Sequence, residues 1–233
     1  MSQVTEIVFI TGTGRSGTNI LKKILSQNSD VAVLPFEYRF TVDPKGILDF
    51  YNTYPSIWSP YWADAKIKEL ETFLHSLAKL STEKIDRTTD AKILDPSGLK
   101  VTPPPYAGWE LDNWFPDYSE FVGTLISSLV EFKYSAVWPG TEEGIEGNEM
   151  YFSGALTKSE LNEPLSHFLK SCFDAVCAQQ DKKFFVEDNT HSLLFAKDLL
   201  DLVPNGKIIH VVRDPRDVIA SLVHQRWAPR NLN

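Results

Sequence analysis

The chain has little sulfur, no surplus of positive charge and no long uncharged apolar run. Only Cys172 and Cys177 occur in 233 residues, five apart in a helical pattern. No clustered histidines stand beside them to complete a zinc site, so they read as core thiols. Lysines and arginines number 23 against 31 aspartates and glutamates, a net charge of -8, which argues against non-specific nucleic-acid binding. A local basic site for a small anion would barely alter that balance. The N-terminus passes from polar "MSQVTE" into a short apolar run, and no stretch is long enough to span a bilayer. A cytoplasmic protein without a transmembrane segment is the expectation. Repeats and low-complexity tracts are also missing.

What is present begins with Ile7 to Ile10, a continuous apolar run suited to a parallel strand buried on both faces. A glycine turn follows. Then Ile20, Leu21, Ile24 and Leu25 recur at helical spacing with Lys22 and Lys23 opposite, predicting an amphipathic helix from about Gly17 to Asn28. Val31 to Leu34 reads as a second strand. Near the C-terminus, Lys183 to Glu187, Leu193 to Val203 and Lys207 to Val212 read as strand, helix and strand, a βαβ unit. The fold class expected is therefore α/β, a three-layer P-loop-like fold around a central parallel sheet.

The middle of the chain has a different character. "YPSIWSPYWAD" and "DPSGLKVTPPPYAGWELDNWFPDY" are rich in proline and aromatics, and they flank a helical pattern from Asp64 to Leu80. Such loops either line a substrate cleft or pack as an irregular cap. Further helical patterns cover Ser119 to Lys133 and Lys158 to Gln179. Residues 44–180 are thus expected to form a largely helical, substrate-side insertion in a single domain spanning residues 1–233.

The turn "GTGRSGTN", Gly12 to Asn19, follows a strand and opens a helix, where exposed backbone N–H groups and the macrodipole favour an anion. Gly12 and Gly17 have the separation of a P-loop. The lysine position of a nucleoside-triphosphate loop holds Thr18, however, and the magnesium-binding Ser/Thr position holds Asn19. Arg15 supplies a permanent charge and a planar donor fork instead. A second strand-turn-helix, "KIIHVVRDPRDVIASLVHQRW", has Asp214 as N-cap, Pro215 at the first helical position and Asp217 where a capping-box acid would stand. Arg213 at its strand end and Ser221 in its helix are both placed to address an anion at the sheet's carboxyl edge. A salt bridge from Arg213 to Asp214 or Asp217 is the plainer alternative.

These two motifs together resemble the sulfotransferase superfamily that uses 3′-phosphoadenosine 5′-phosphosulfate (PAPS), particularly its bacterial and tyrosylprotein-type branches. The resemblance implies that Gly14, Arg15, Ser16, Gly17, Thr18 and Asn19 form the 5′-phosphosulfate loop, and that Arg213 and Ser221 hold the 3′-phosphate. It also implies PAPS as donor, with no metal required. In "FFVEDNTHSLLFAKDLL", Asn189 stands where the family has lysine and His191 where it has proline, so no catalytic lysine carries over. A further phosphate-binding arginine of some relatives would fall at Gln225, beside Arg226. Relatives continue past the second motif, which makes a C-terminally incomplete chain the expectation.

Sulfuryl transfer needs positioned donors and a general base near the acceptor hydroxyl or amine. In tyrosylprotein-type relatives the base is the glutamate of a Glu-x-Arg step beyond the loop. "PFEYRF" offers Glu37 in that role and Arg39 as an acceptor-orienting partner, with Arg15 acting on the transferred group; Glu187 and His191 are the reserve bases. The acceptor expected is a small molecule, a carbohydrate or a lipid-linked substrate, and no nucleic acid. Two other functions fit the loops: a P-loop nucleotide or small-molecule kinase, and a non-catalytic nucleotide-binding protein.

Overall fold

A computed structural model describes residues 6–78, 110–136 and 149–225, together with the backbone of a short strand pair at 93–94 and 100–101. In chain order, β1 (Glu6–Gly12), α1 (Thr18–Leu25) and β2 (Val31–Val33) lead into α2 (Ile47–Thr53) and α3 (Pro60–Ala78). The strand pair is β3 (Ile93–Leu94) and β4 (Lys100–Val101). Next come α4 (Leu111–Trp114), α5 (Tyr118–Leu129), β5 (Phe132–Ser135), β6 (Glu149–Phe152) and α6 (Lys158–Gln180). The chain then returns to the sheet through β7 (Phe184–Asp188), α7 (Ala196–Leu202), β8 (Lys207–Val211) and α8 (Pro215–Leu222).

The central sheet has four strands in the order β2-β7-β1-β8, all parallel, as the buried apolar runs predicted. From β1 the chain crosses in one direction to β2, and from β7 it crosses in the other direction to β8. Right-handed crossovers in opposite directions place their helices on opposite faces, which makes three layers. The two faces differ in chemistry. Phe9 and Phe185 meet Phe173 of α6, with the Phe173 and Phe185 rings stacked at 4.9 Å. Tyr38, Phe40, Phe115, Tyr118 and Phe168 extend this aromatic core. Cys172 and Cys177 are buried in it and are not joined by a disulfide. A capping box fixes the start of α6: the Thr157 hydroxyl accepts from the Glu160 N–H while the Glu160 carboxylate accepts from the Thr157 N–H.

On the opposite face α1 is rotated from the expected orientation, with Leu21 and Leu25 half-buried. Thr18 and Lys22 are buried, whereas Ile20 and Ile24 are 68% and 61% exposed. Apolar periodicity missed this stripe because Lys22 is held at the sheet by a 2.5 Å ion pair to Asp188 at the end of β7 and a bond to the Leu34 carbonyl, and a buried lysine so paired can stand where an apolar residue was expected.

The insertion is less helical than its pattern suggested. The helix expected over Ser119 to Lys133 ends at Leu129, and residues from Phe132 pair with β6 as an antiparallel hairpin. Phe132 and Phe152 stack across it at 4.6 Å, the kind of cross-strand aromatic pair that stabilises a two-stranded ribbon. Trp58 donates to the Ser153 carbonyl, Trp62 lies beneath Lys66, and Trp114 packs edge-on against Phe36. Trp62 and Trp114 are half-buried in the cap and Trp58 stays exposed beside it; Trp109, Trp138 and Trp227 lie outside the described residues. Among the described residues no helix is long and apolar enough to cross a membrane.

Candidate active site

Because the four strands are parallel, the segments that follow them emerge at one edge. β1 and β7 are neighbours whose crossovers leave in opposite directions, the position where open α/β sheets form a crevice. A cavity of about 530 Å³ opens there. Gly14, Arg15, Thr18 and Asn19 line it from the loop after β1, Glu37 and Arg39 from the segment after β2, and Thr190 and His191 from the segment after β7.

The first loop is shaped by alternating backbone hand. Arg15 has φ 71° and Gly17 has φ 110°, with the Ser16 N–H bonded to the Thr13 carbonyl between them. A left-handed conformation costs a non-glycine residue about 1–2 kcal/mol. It turns successive N–H groups into one concavity, the arrangement that receives anions. The Ser16 hydroxyl is buried beneath this loop without a partner. Gly12 is required for closeness: a Cβ there would lie 2.6 Å from both Ser16 Oγ and the Val211 carbonyl oxygen of β8. We expect Gly12→Ala to cost about 1–3 kcal/mol by overpacking, read as a lower urea midpoint with an unchanged m-value.

Arg213 and Ser221 do not line the cavity but meet Arg15 from behind. The Arg15 Nε–H donates to Ser221 Oγ at 2.9 Å, and Arg213 Nη1 donates to the Arg15 carbonyl at 3.1 Å. The two motifs, some 200 residues apart in the chain, thus form one cluster of donors. Arg213 also lies 3.8 Å from Asp217, so the plainer ion pair is present as well. Asp214 caps α8 by accepting from the Arg216 N–H, and Pro215 occupies the first turn as expected. Asp217 is engaged by Arg213. The Gln225 side chain donates to the Ser221 carbonyl at 3.5 Å, while Arg226 lies outside the described residues.

Opposite the loop, residues 36–40 alternate. Tyr38 and Phe40 are buried and stack at 4.7 Å, which sends Glu37 and Arg39 to the cavity side. Burial, and after it the charge of Asp188, pushes the Glu37 carboxyl above its ordinary range, against the pull of Arg39 and Lys22. Asp188 and Glu187 close β7 on opposite faces of the sheet. Burial raises Asp188 despite Lys22, and it drives Glu187 well upward with help from Asp188 and Glu37. Glu187 is 2% exposed and turned to the Ser192 hydroxyl, and it does not line the cavity.

Asn189, standing where a lysine was the family pattern, ties two walls together. Its Nδ2 donates to the Tyr38 carbonyl, and its Oδ1 accepts from the His191 N–H, opening the 3-10 turn Thr190–Phe195. Sequence reasoning missed Thr190 and the Lys22–Asp188 pair. Asn189, a capping residue before the helical pattern, was the available sign of that turn.

A family model described as "Sulfotransferase family" matches residues 7–232. No curated protein and no solved structure matches the chain.

Proposed function

The chain belongs to the sulfotransferase family, and on that premise we propose that it moves a sulfuryl group from PAPS to a hydroxyl or amine of a small-molecule, carbohydrate or lipid-linked acceptor. The observation that carries this reading is the shared cavity, in which the anion-shaped loop and the raised carboxyl of Glu37 face one another. Gly14 to Asn19 would hold the phosphosulfate. Arg213 and Ser221, already bonded to Arg15, would hold the 3′-phosphate. The residues suit such a group: a nest of N–H donors, an orphaned Ser16 hydroxyl and two guanidinium groups at one sheet edge.

When bound, the donor supplies an activated sulfur with a phosphate leaving group. Arg15 offers its guanidinium to the charge that develops on the transferred and leaving oxygens. Glu37 takes the acceptor's proton. Arg39, anchored by an Nε–H donated to Asp43 Oδ1 at 2.6 Å, presents a fixed edge to the cavity. The Glu37-x-Arg39 step supports placing the chain with the bacterial or tyrosylprotein-type branch.

Adenosine 3′,5′-bisphosphate tests the donor site without needing the acceptor. At a hundredfold excess over Kd it should add about 2.7 kcal/mol of stability, a rise in Tm of about 5–10 °C for a chain of this size. Arg213→Ala should remove most of that rise. Stabilisation by Mg-ATP and not by the bisphosphate would favour the kinase function. Bisphosphate binding without transfer of labelled sulfate to any acceptor would make the protein a nucleotide-binding one.

A further inference from the structure

We propose that His191 acts in this site as a fixed neutral hydrogen-bond donor, its Nε2–H facing the group bound in the cavity, and that Arg39 and Asp43 are the positioning residues that set it. The inference rests on the sulfuryl-transfer reading and adds a residue to it.

The assignment follows from which atoms can donate. Arg39 Nη2 lies 2.8 Å from His191 Nδ1. A guanidinium carries only donors, so Nδ1 must be the acceptor and must be unprotonated. The single ring proton is then on Nε2. Arg39 cannot swing away freely, because its Nε–H is held by the buried Asp43 carboxylate, and the Asp43 N–H returns to the Arg39 carbonyl at 3.0 Å. The backbone that carries the ring is fixed as well, because the His191 main-chain N–H donates to Asn189 Oδ1 at 3.1 Å. With Nδ1 engaged and the ring lining the cavity, Nε2–H is its one polar atom left for a ligand.

The charged groups around the ring agree. Burial, and after it the Arg39 charge, holds the His191 pKa below the ordinary histidine range, with Asp43 opposing. Glu37 and Arg15 line the same cavity. This makes His191 unsuited to the reserve role of base, since protonating Nδ1 would break the bond to Arg39. In the transfer step the acceptor oxygen or nitrogen forms its bond to sulfur while the bond from sulfur to the phosphate oxygen breaks. The electron pair leaves on the phosphate, the acceptor's proton goes to Glu37, and His191 keeps its proton throughout. Its contribution is a hydrogen bond to a sulfuryl or acceptor oxygen whose charge grows in that step.

Two measurements on the full chain decide the matter. Nitrogen-15 NMR of histidine-labelled protein at pH 7 should show His191 as the Nε2–H tautomer, and Arg39→Met should release it into a mixture. In transfer assays His191→Phe should lower kcat about a hundredfold with the acceptor KM changed by less than about threefold, the signature of a lost transition-state donor. His191→Gln, which can place an N–H near the Nε2 position, should restore most of the loss. An Nδ1–H tautomer or an imidazolium in the wild-type protein overturns the inference even where no turnover is seen. Wild-type kcat in His191→Phe overturns it as well. An Nε2–H tautomer in a protein that transfers sulfate to no acceptor overturns the sulfuryl-transfer reading, and the role of His191 falls with it.

Discussion

Glu37→Gln is expected to lower kcat for sulfuryl transfer by about 10³–10⁴-fold while leaving the affinity for adenosine 3′,5′-bisphosphate within about twofold. The split follows from where the residue stands. Glu37 projects from the segment after β2, across the cavity from the loop that would hold the donor, and shares no hydrogen bond with it. Its pKa is raised chiefly by burial and then by Asp188. A base works only as the carboxylate, so wild-type activity should rise with pH through that raised value and then level off. The glutamine variant should lose this limb. Glu37→Asp, with its carboxylate one methylene short, should keep the limb and part of the rate. An unchanged kcat in Glu37→Gln would remove Glu37 from the chemistry.

Local signals and long-range ones fared differently in the sequence. The glycine turn was legible because its requirement is local: Gly17 must adopt φ 110° and Gly12 must leave room for a neighbouring strand, and no other residue does either without strain. The capped start of α8 was legible for the same reason. Strands β1, β7 and β8 announced themselves as apolar runs, β1 and β7 buried and β8 half-exposed at the sheet edge, and their parallel crossovers fixed the edge where the cavity lies. Helix α1 was misoriented because the decisive partner of Lys22 lies 166 residues away, and no periodicity within eight residues encodes it. The first two residues of β5, Phe132 and Lys133, were read as the tail of a helix. The aromatic, alternating "FKYS" of that strand reads as a strand only once a partner such as "EMYF" is paired with it. The Asp43, Arg39 and His191 chain joins the segments that follow β2 and β7, neighbours in the sheet but 152 residues apart from Arg39 to His191, which spacing alone cannot bring together.

Lys22→Met is expected to destabilise the fold by about 3–5 kcal/mol at pH 7.5, a large share of the ~5–15 kcal/mol that holds a domain together. Lys22 is 8% exposed; it pairs with Asp188 and donates to the Leu34 carbonyl at 3.1 Å. It is also the cation that opposes the upward shifts of Glu37, Glu187 and Asp188 alike. Methionine fills its volume but leaves Asp188 buried without a counter-charge. The remedy open to the variant is protonation, which raises the folded-state pKa of Asp188 further above its unfolded value. A group shifted in that direction favours the folded state below its unfolded pKa, and that contribution is lost as pH rises through the folded pKa. The deficit in urea midpoint should therefore be largest at pH 7.5 and shrink toward pH 5. Asp188→Asn added to Lys22→Met should recover most of it, because the double replacement leaves no unpaired charge. A deficit independent of pH would mean that packing, and not the ion pair, is what Lys22 contributes.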